Sequence, residues 1–221
     1  MELKAVLFDL DGTLIDSIPL HKKSFQLLFY KFGRRLPEKS ISQYIRWSTE
    51  EIYRKLKVAQ KLGLPIETFL RLRREIYWGL VKKKKNLEFK SRTAFLKKLK
   101  KQGFKLALVT NSSRQTTERT TPKRVLKLFD CIATFSEVLH GKPAPDLLQF
   151  ACRKMKLNPA ECIMVGDSIV DLKAAESAKI RGIGFWGKTG ASSFSDLKKE
   201  KPFKIVKTVR KLKSVLDSLG K

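Results

Sequence analysis

Residues 4–17, KAVLFDLDGTLIDS, decide how this chain is read. Ala5 to Phe8 form an unbroken apolar run that stops at Asp9. A short apolar run closed by turn residues reads as a strand buried on both faces, the habit of parallel sheets. Asp9 then stands where the strand leaves the sheet, and open α/β sheets bind ligands at the carboxyl ends of their strands. Asp11 follows two positions on, so a side-chain period of two lets both carboxylates lean into one space. Gly12 permits a sharp turn, and Asp16 or Ser17 can cap a helix that follows.

Two carboxylates this close cannot ionise equally, because a neighbouring negative charge raises a pKa. The ionised one can act as a nucleophile; the other can hold a proton and serve as general acid, then base. Asp-x-Asp-Gly also occurs in calcium loops, which need further oxygen ligands over about a dozen residues and end in Glu. Leu10, Thr13, Leu14 and Ile15 are poor candidates for such ligands.

Three further stretches matter, and two of them have the same look of a strand delivering polar groups. LALVTNSS, residues 106–113, ends an apolar run in Thr110 and Asn111, with Ser112 or Ser113 placed to start a helix whose N-terminus favours an anion. HGKPAPD, residues 140–146, sets Lys142 between Gly141 and Pro143. ECIMVGDSIVD, residues 161–171, carries a strand from Cys162 to Val165, a turn at Gly166, and the carboxylates Asp167 and Asp171.

FDLDGTLIDS and these three stretches, in this order, closely resemble the four motifs of the haloacid dehalogenase superfamily, most of whose members are Mg²⁺-dependent phosphatases. The resemblance covers essentially the whole chain outside residues 18–87. It implies an α/β fold: a Rossmann-like parallel sheet core with an inserted all-helical cap domain. It also implies roles. Asp9 is the nucleophile and Asp11 the acid/base. Thr110, Asn111 and Lys142 hold phosphate. Mg²⁺ is held by Asp9, the backbone carbonyl of Asp11, and Asp167, with Asp171, Gly12 and Thr13 in support. Hard oxygen ligands with room for water and phosphate suit Mg²⁺.

Residues 18–87 differ in character from their flanks. Phe25, Leu28, Phe29 and Phe32 recur at helical spacing from Pro19 and stop at Gly33. Ser48 and Glu51 form a capping box before Ile52, Leu56 and Ala59, with Gly63 closing that helix. Pro65 opens a third helix, with Ile66, Phe69, Leu70, Ile76, Tyr77 and Leu80 on one face, and the solvated run Lys82 to Lys85 follows. Nothing alternates like a strand. The expected division is a core of 1–17 and 88–221 and a helical domain of 18–87. In the resembled family a cap in this position closes over the active site and chooses the substrate, so His21, Arg46 and Ser48 are candidate substrate contacts.

The rest of the core reads as helices around Phe95–Leu99, Leu147–Met155 and Ile169–Ala178, strands at Ile132–Phe135 and Gly182–Phe185, and a terminal amphipathic helix through Val209, Leu212, Val215, Leu216 and Leu219. The roughly 30 residues between Thr110 and Lys142 leave no room for a second large insertion.

The chain has 221 residues and a formal charge of +27. So basic a surface attracts anions: phosphorylated metabolites, nucleic acid or acidic membranes. A Lys-rich surface poor in Asn and Gln is also typical of heat-adapted proteins. Nucleic-acid binding is therefore compatible with the charge but not expected as the main function. No stretch reaches the roughly 18 apolar residues of a membrane span, so no membrane partner is expected. The first strand begins almost at Met1, so no signal peptide is expected, and Cys131, Cys152 and Cys162 lie among apolar neighbours without metal-ligand spacing, as expected of buried reduced thiols in a cytoplasmic protein. The sequence does not indicate an oligomeric state.

The expected activity is Mg²⁺-dependent hydrolysis of a small phosphate monoester, phosphoglycolate being one candidate, through an aspartyl-phosphate. The alternative is a hexose-phosphate mutase of the β-phosphoglucomutase type, with which DSIPLH shares a His at position 21. Two departures count against it. The mutase has adjacent acidic residues in its fourth motif, where this chain has Gly166 before Asp167. Its cap loop has a Gly where this chain has Arg46, a residue suited to a small acidic substrate.

Overall fold

The computed structural model describes residues 2–42, 44–45, 47–55, 62–84, 86–187 and 190–219. It divides into two compact units: Met1–Asp16 with Glu88–Lys221, and Ser17–Leu87.

Among the described residues the first unit is built on six strands: β1 Ala5–Phe8, β2 Lys105–Thr110, β3 Cys131–Thr134, β4 Cys162–Gly166, β5 Arg181–Phe185 and β6 Lys204–Val206. They form one all-parallel sheet in the order β3-β2-β1-β4-β5-β6. The fold is the α/β, Rossmann-like one expected. Both faces of the sheet are covered, which is why its central strands are continuously apolar rather than alternating. Ala5 and Leu7 enter a cluster with Leu147, Leu148 and Ala151 of the helix Asp146–Met155 and Ala174 and Ala175 of the helix Ile169–Ser177. On the opposite face Phe8, Phe95, Val165, Phe185 and Leu212 line one small space, bringing in the helices Lys90–Lys101 and Val209–Asp217.

The strand order reverses at β1. The chain runs outward through β2 and β3, then returns to place β4 on the other side of β1. The crevice beyond the carboxyl ends of β1 and β4 is thus the switch point at which open α/β sheets take ligands. Phe8 pairs with Leu108 on β2 and Val165 on β4, so Asp9 stands level with Val109 and Gly166, and Thr110 and Asp167 follow one residue further on at the same end of the sheet.

The terminal edge holds more than the sequence reading anticipates: a helix Phe194–Lys199 and the short strand β6. β6 has only 3 residues, one of them an exposed Lys204, and gives no hydrophobic period to read. The three cysteines are free and buried, as expected. Cys152 and Cys162 lie with their sulfurs 3.7 Å apart. No helix of the described residues is long and apolar enough to cross a membrane.

The second unit contains helices Ile18–Lys31, Glu38–Ser42, Thr49–Lys55 and Ile66–Lys83. Ser17 stands at the N-cap of the first, and Pro65 at that of the last. Phe25, Leu28, Phe29, Phe69 and Tyr77 are fully buried between them. Leu56 and Ala59, expected to extend the Thr49–Lys55 helix, lie outside the described residues, as does Lys85. The helix Glu38–Ser42 was not expected. Neither was the burial of Arg73, which sits on the inner face of the Ile66–Lys83 helix with its guanidinium over the rings of Phe25 (4.7 Å) and Tyr77 (4.9 Å).

Candidate active site

Four buried charged groups meet at the carboxyl ends of β1 and β4. Asp9 follows β1, Asp167 follows β4, and Asp171 lies in the first turn of the Ile169–Ser177 helix. One carboxylate oxygen from each lies within 4.8 Å of the others. The Lys142 ammonium stands among them, donating to Asp9 Oδ1 (2.7 Å), Asp171 Oδ1 (2.6 Å) and the Val109 carbonyl (2.9 Å). Lys142 is 1% exposed, so this long cationic side chain is enclosed by the groups it neutralises.

Each member is held by the segment beside it. The Lys142 peptide is clamped by the Asn111 amide, which donates to its carbonyl (2.8 Å) and accepts from its N–H (2.7 Å). Asn111, read as a phosphate contact, thus has its side chain engaged with Lys142. The Thr110 hydroxyl, 1% exposed with its residue, accepts from the Ser112 N–H (3.0 Å). Thr13 donates to Asp167 Oδ1 (3.1 Å), and the Ala191 N–H donates to Asp167 Oδ2 (2.5 Å). Asp171 Oδ2 accepts from the N–H (3.0 Å) and hydroxyl (2.6 Å) of Ser168. Gly166 has no side chain for a steric reason: a Cβ there would fall 2.4 Å from the Asp171 carboxyl carbon.

Asp11 follows Asp9 by two residues, as its spacing suggests, and Gly12 turns the chain with φ +85°. The Asp11 carboxylate accepts from the Ser112 hydroxyl (2.8 Å), a partner 101 residues away. From the sequence alone Ser112 is expected only to start a helix. The helix itself, Arg114–Thr120, is capped by Ser113, whose hydroxyl accepts from the Thr116 N–H (3.3 Å). Asp171 also occupies a fuller place than its supporting role implied, since it shares Lys142 with Asp9.

Three carboxylates around one ammonium leave excess negative charge in a place that water does not screen. Burial pushes the Asp9 carboxyl well above its ordinary range; Lys142 opposes this, while Asp171, Asp167 and Asp11 add to it. Asp167 is pushed up to about 7, by burial first and then by Asp171. Burial alone would lower the Lys142 pKa, but Asp171 and Asp9 outweigh it and keep the ammonium charged. Such a cluster fits a hard divalent cation, which removes the surplus charge using oxygen ligands.

In the helical unit, His21 is buried in the Ile18–Lys31 helix, stacked on Tyr77 with ring centroids 4.2 Å apart and its Nδ1 against the Arg73 guanidinium. A guanidinium has only donors, so Nδ1 is the acceptor and the ring proton sits on Nε2. Ser48 is buried in the expected capping box: Glu51 accepts from its N–H (3.2 Å) and hydroxyl (3.0 Å), and that hydroxyl accepts from the Glu51 N–H (3.2 Å). Arg46 lies outside the described residues.

Known proteins are similar to this chain in sequence and in fold. Residues 6–185 match the haloacid dehalogenase-like hydrolases as a family. A pyrophosphatase, PpaX of Bacillus mycoides, is 32% identical over 180 residues, covering 80% of this chain and 81% of that protein. A phosphoglycolate phosphatase of Psychrobacter arcticus is 30% identical over 197 residues, covering 83% and 84%. Among solved structures, a hydrolase from Pseudomonas syringae shares the fold with a TM-score of 0.84 at 23% identity, over 99% of this chain and 100% of that one. The chain therefore belongs to the haloacid dehalogenase-like hydrolases. Within that family it is a hydrolase whose relatives are named as phosphatases.

Proposed function

We propose that this chain is a Mg²⁺-dependent phosphatase that hydrolyses a small, strongly anionic phosphate compound through an aspartyl-phosphate on Asp9. The observation that carries the proposal is the buried pairing of Asp9 with Lys142 at the switch point, beside Asp167 and Asp171. An Asp9 oxygen attacks phosphorus as the bond to the leaving oxygen breaks. Asp11 gives its proton to that oxygen, then takes one from the water that releases inorganic phosphate. Lys142 and the Thr110 hydroxyl meet charge spread over the phosphoryl oxygens. Asp9, Asp167 and the Asp11 carbonyl would hold Mg²⁺, with Asp171 in support, and the ion would supply charge neutralisation for the phosphoryl group.

The substrate class follows from the relatives. One is named for pyrophosphate and another for phosphoglycolate, both small and multiply charged. The strongly basic surface favours such anions at long range. The helical unit is assigned the role of substrate-selecting cap, with His21, Arg46 and Ser48 as its candidate contacts, and the cytoplasm is the assigned compartment. Gly166 favours the phosphatase over the hexose-phosphate mutase, because Asp171 fills the space that a side chain at position 166 would need.

The test is a panel of phosphorylated metabolites, including phosphoglycolate, pyrophosphate and glucose 1- and 6-phosphates, assayed with Mg²⁺ and with EDTA. Phosphate release from small anionic members, lost in EDTA and lost in a folded Asp9→Asn variant, is expected. Turnover by Asp9→Asn at the wild-type rate would remove the nucleophile. Interconversion of the glucose phosphates faster than phosphate release would replace the phosphatase with the mutase.

A further inference from the structure

Arg92 belongs to none of the four motifs. It lies in the first turn of the Lys90–Lys101 helix, yet its guanidinium reaches the turn that leaves β1. There it donates to the carbonyl oxygens of Gly12 (2.8 Å) and Thr13. The rings of Phe89 and Phe185 flank it at 3.9 Å and 4.4 Å from their centroids and fix its plane. Burial lowers its pKa to about 10, against the opposing charges of Asp167 and Asp16. A cation has thus been taken partly out of water so that one of its nitrogens, Nη1, meets two successive carbonyls while the flanking rings hold the guanidinium plane.

Those carbonyls belong to residues that matter to the site. Gly12 adjoins Asp11, and the Thr13 hydroxyl donates to Asp167 Oδ1 (3.1 Å). A continuous path therefore runs from Arg92 to the Thr13 carbonyl, through the Thr13 side chain, to Asp167. We propose that Arg92 is a positioning residue of this enzyme: by pinning the Gly12–Thr13 turn it sets Thr13 against Asp167 and so orients the carboxylate for the divalent cation. The proposal rests on the metal-dependent phosphatase reading above. It assigns Arg92 no contact with substrate.

The experiment measures Mg²⁺ binding by titration calorimetry on the substrate-free full chain, alongside steady-state kinetics. Arg92→Met removes the donors but keeps an apolar stem between Phe89 and Phe185. Outer-shell partners of metal ligands typically govern affinity by about 10–100-fold, and a weakening of that size is expected for Arg92→Met. kcat should fall at sub-saturating Mg²⁺ while KM for the phosphate substrate changes by less than about threefold, since no substrate contact is lost. Thr13→Val should weaken Mg²⁺ similarly, and the double variant should be no worse than the weaker single one, because both act on one path. Arg92→Lys should recover part of the loss.

A folded Arg92→Met protein with wild-type Mg²⁺ affinity would overturn the proposal, as would losses from Arg92→Met and Thr13→Val that multiply. If Arg92→Met does not fold, Arg92→Gln, whose amide lies two atoms short of the guanidinium, decides: several-fold weaker Mg²⁺ binding supports the proposal and wild-type affinity overturns it. Failure of the wild-type chain to bind Mg²⁺ at all would instead overturn the metal reading on which the proposal stands.

Discussion

Lys142→Met is the sharpest perturbation of the buried cluster. Methionine matches the length and apolar stem of lysine and removes only the ammonium. In the native protein that ammonium makes three hydrogen bonds, to Asp9, Asp171 and the Val109 carbonyl, and the residue is 1% exposed. Removing one partner of a buried ion pair leaves uncompensated charge and typically costs about 3–5 kcal/mol. For a chain of this size that corresponds to a fall in Tm of about 6–20 °C. The sign of the pH dependence follows from linkage. The Lys142 pKa is raised in the folded state, so its stabilisation is complete below the unfolded value of about 10.4 and is whole at neutral pH. In the variant, Asp9, already pushed up by burial, climbs further without its counter-charge. The folded variant then binds more protons than the unfolded chain, so its stability falls as pH rises, by at most about 1.4 kcal/mol per pH unit for each group. Urea melts followed by circular dichroism in EDTA-containing buffer at pH 5 and pH 8 measure this. The deficit relative to wild type should be larger at pH 8. A wild-type midpoint at pH 8, or a deficit independent of pH, would refute the reasoning.

Gly166→Ala puts a methyl group 2.4 Å from the Asp171 carboxyl carbon, so Asp171 must leave its place beside Lys142 and Ser168. Overpacking of this kind costs about 1–3 kcal/mol, and an unchanged melting midpoint would show that the site has slack the geometry denies. Asp130 gives a second pH signature, far from the active site. Burial would raise its pKa, but the hydrogen bonds from Lys100 (2.7 Å) and the Leu106 N–H (2.8 Å) prevail and lower it. Its stabilisation is therefore present above the unfolded value of about 3.9 and lost as pH falls through the folded one. The stability gap between wild type and Asp130→Asn should be open at pH 6.5 and narrow progressively as pH falls below about 3.9 in urea melts; a constant gap would contradict the assignment.

Much of this protein was legible from local pattern alone. Apolar runs ended by Asp9, Thr110 and Gly166 gave strands and their outlets, because a strand buried on both faces needs no partner to reveal its composition. Ser48 with Glu51 marked a helix start, because a capping box is satisfied within four residues. The parallel sheet and the residues lining its crevice followed from these outlets and from motif resemblance.

Tertiary structure decided the connections between them. Lys142 stands 133 residues from Asp9 and 29 from Asp171, and the sequence pointed to the lysine without revealing that it serves both carboxylates. Ser112 resembled a helix start and Arg92 an ordinary charge in a basic helix, until the fold brought one to Asp11 and the other to Gly12 and Thr13. Arg73 lay hidden in the same way, on a helix face that reads with Phe69 and Tyr77 as aliphatic and aromatic until His21 is packed against it. Hydrophobic period and capping are properties of neighbouring residues, so one strand or turn is enough to read them. A polar side chain acquires its partner only when distant segments enclose it, and burial then makes that partner obligatory because water no longer supplies the bond.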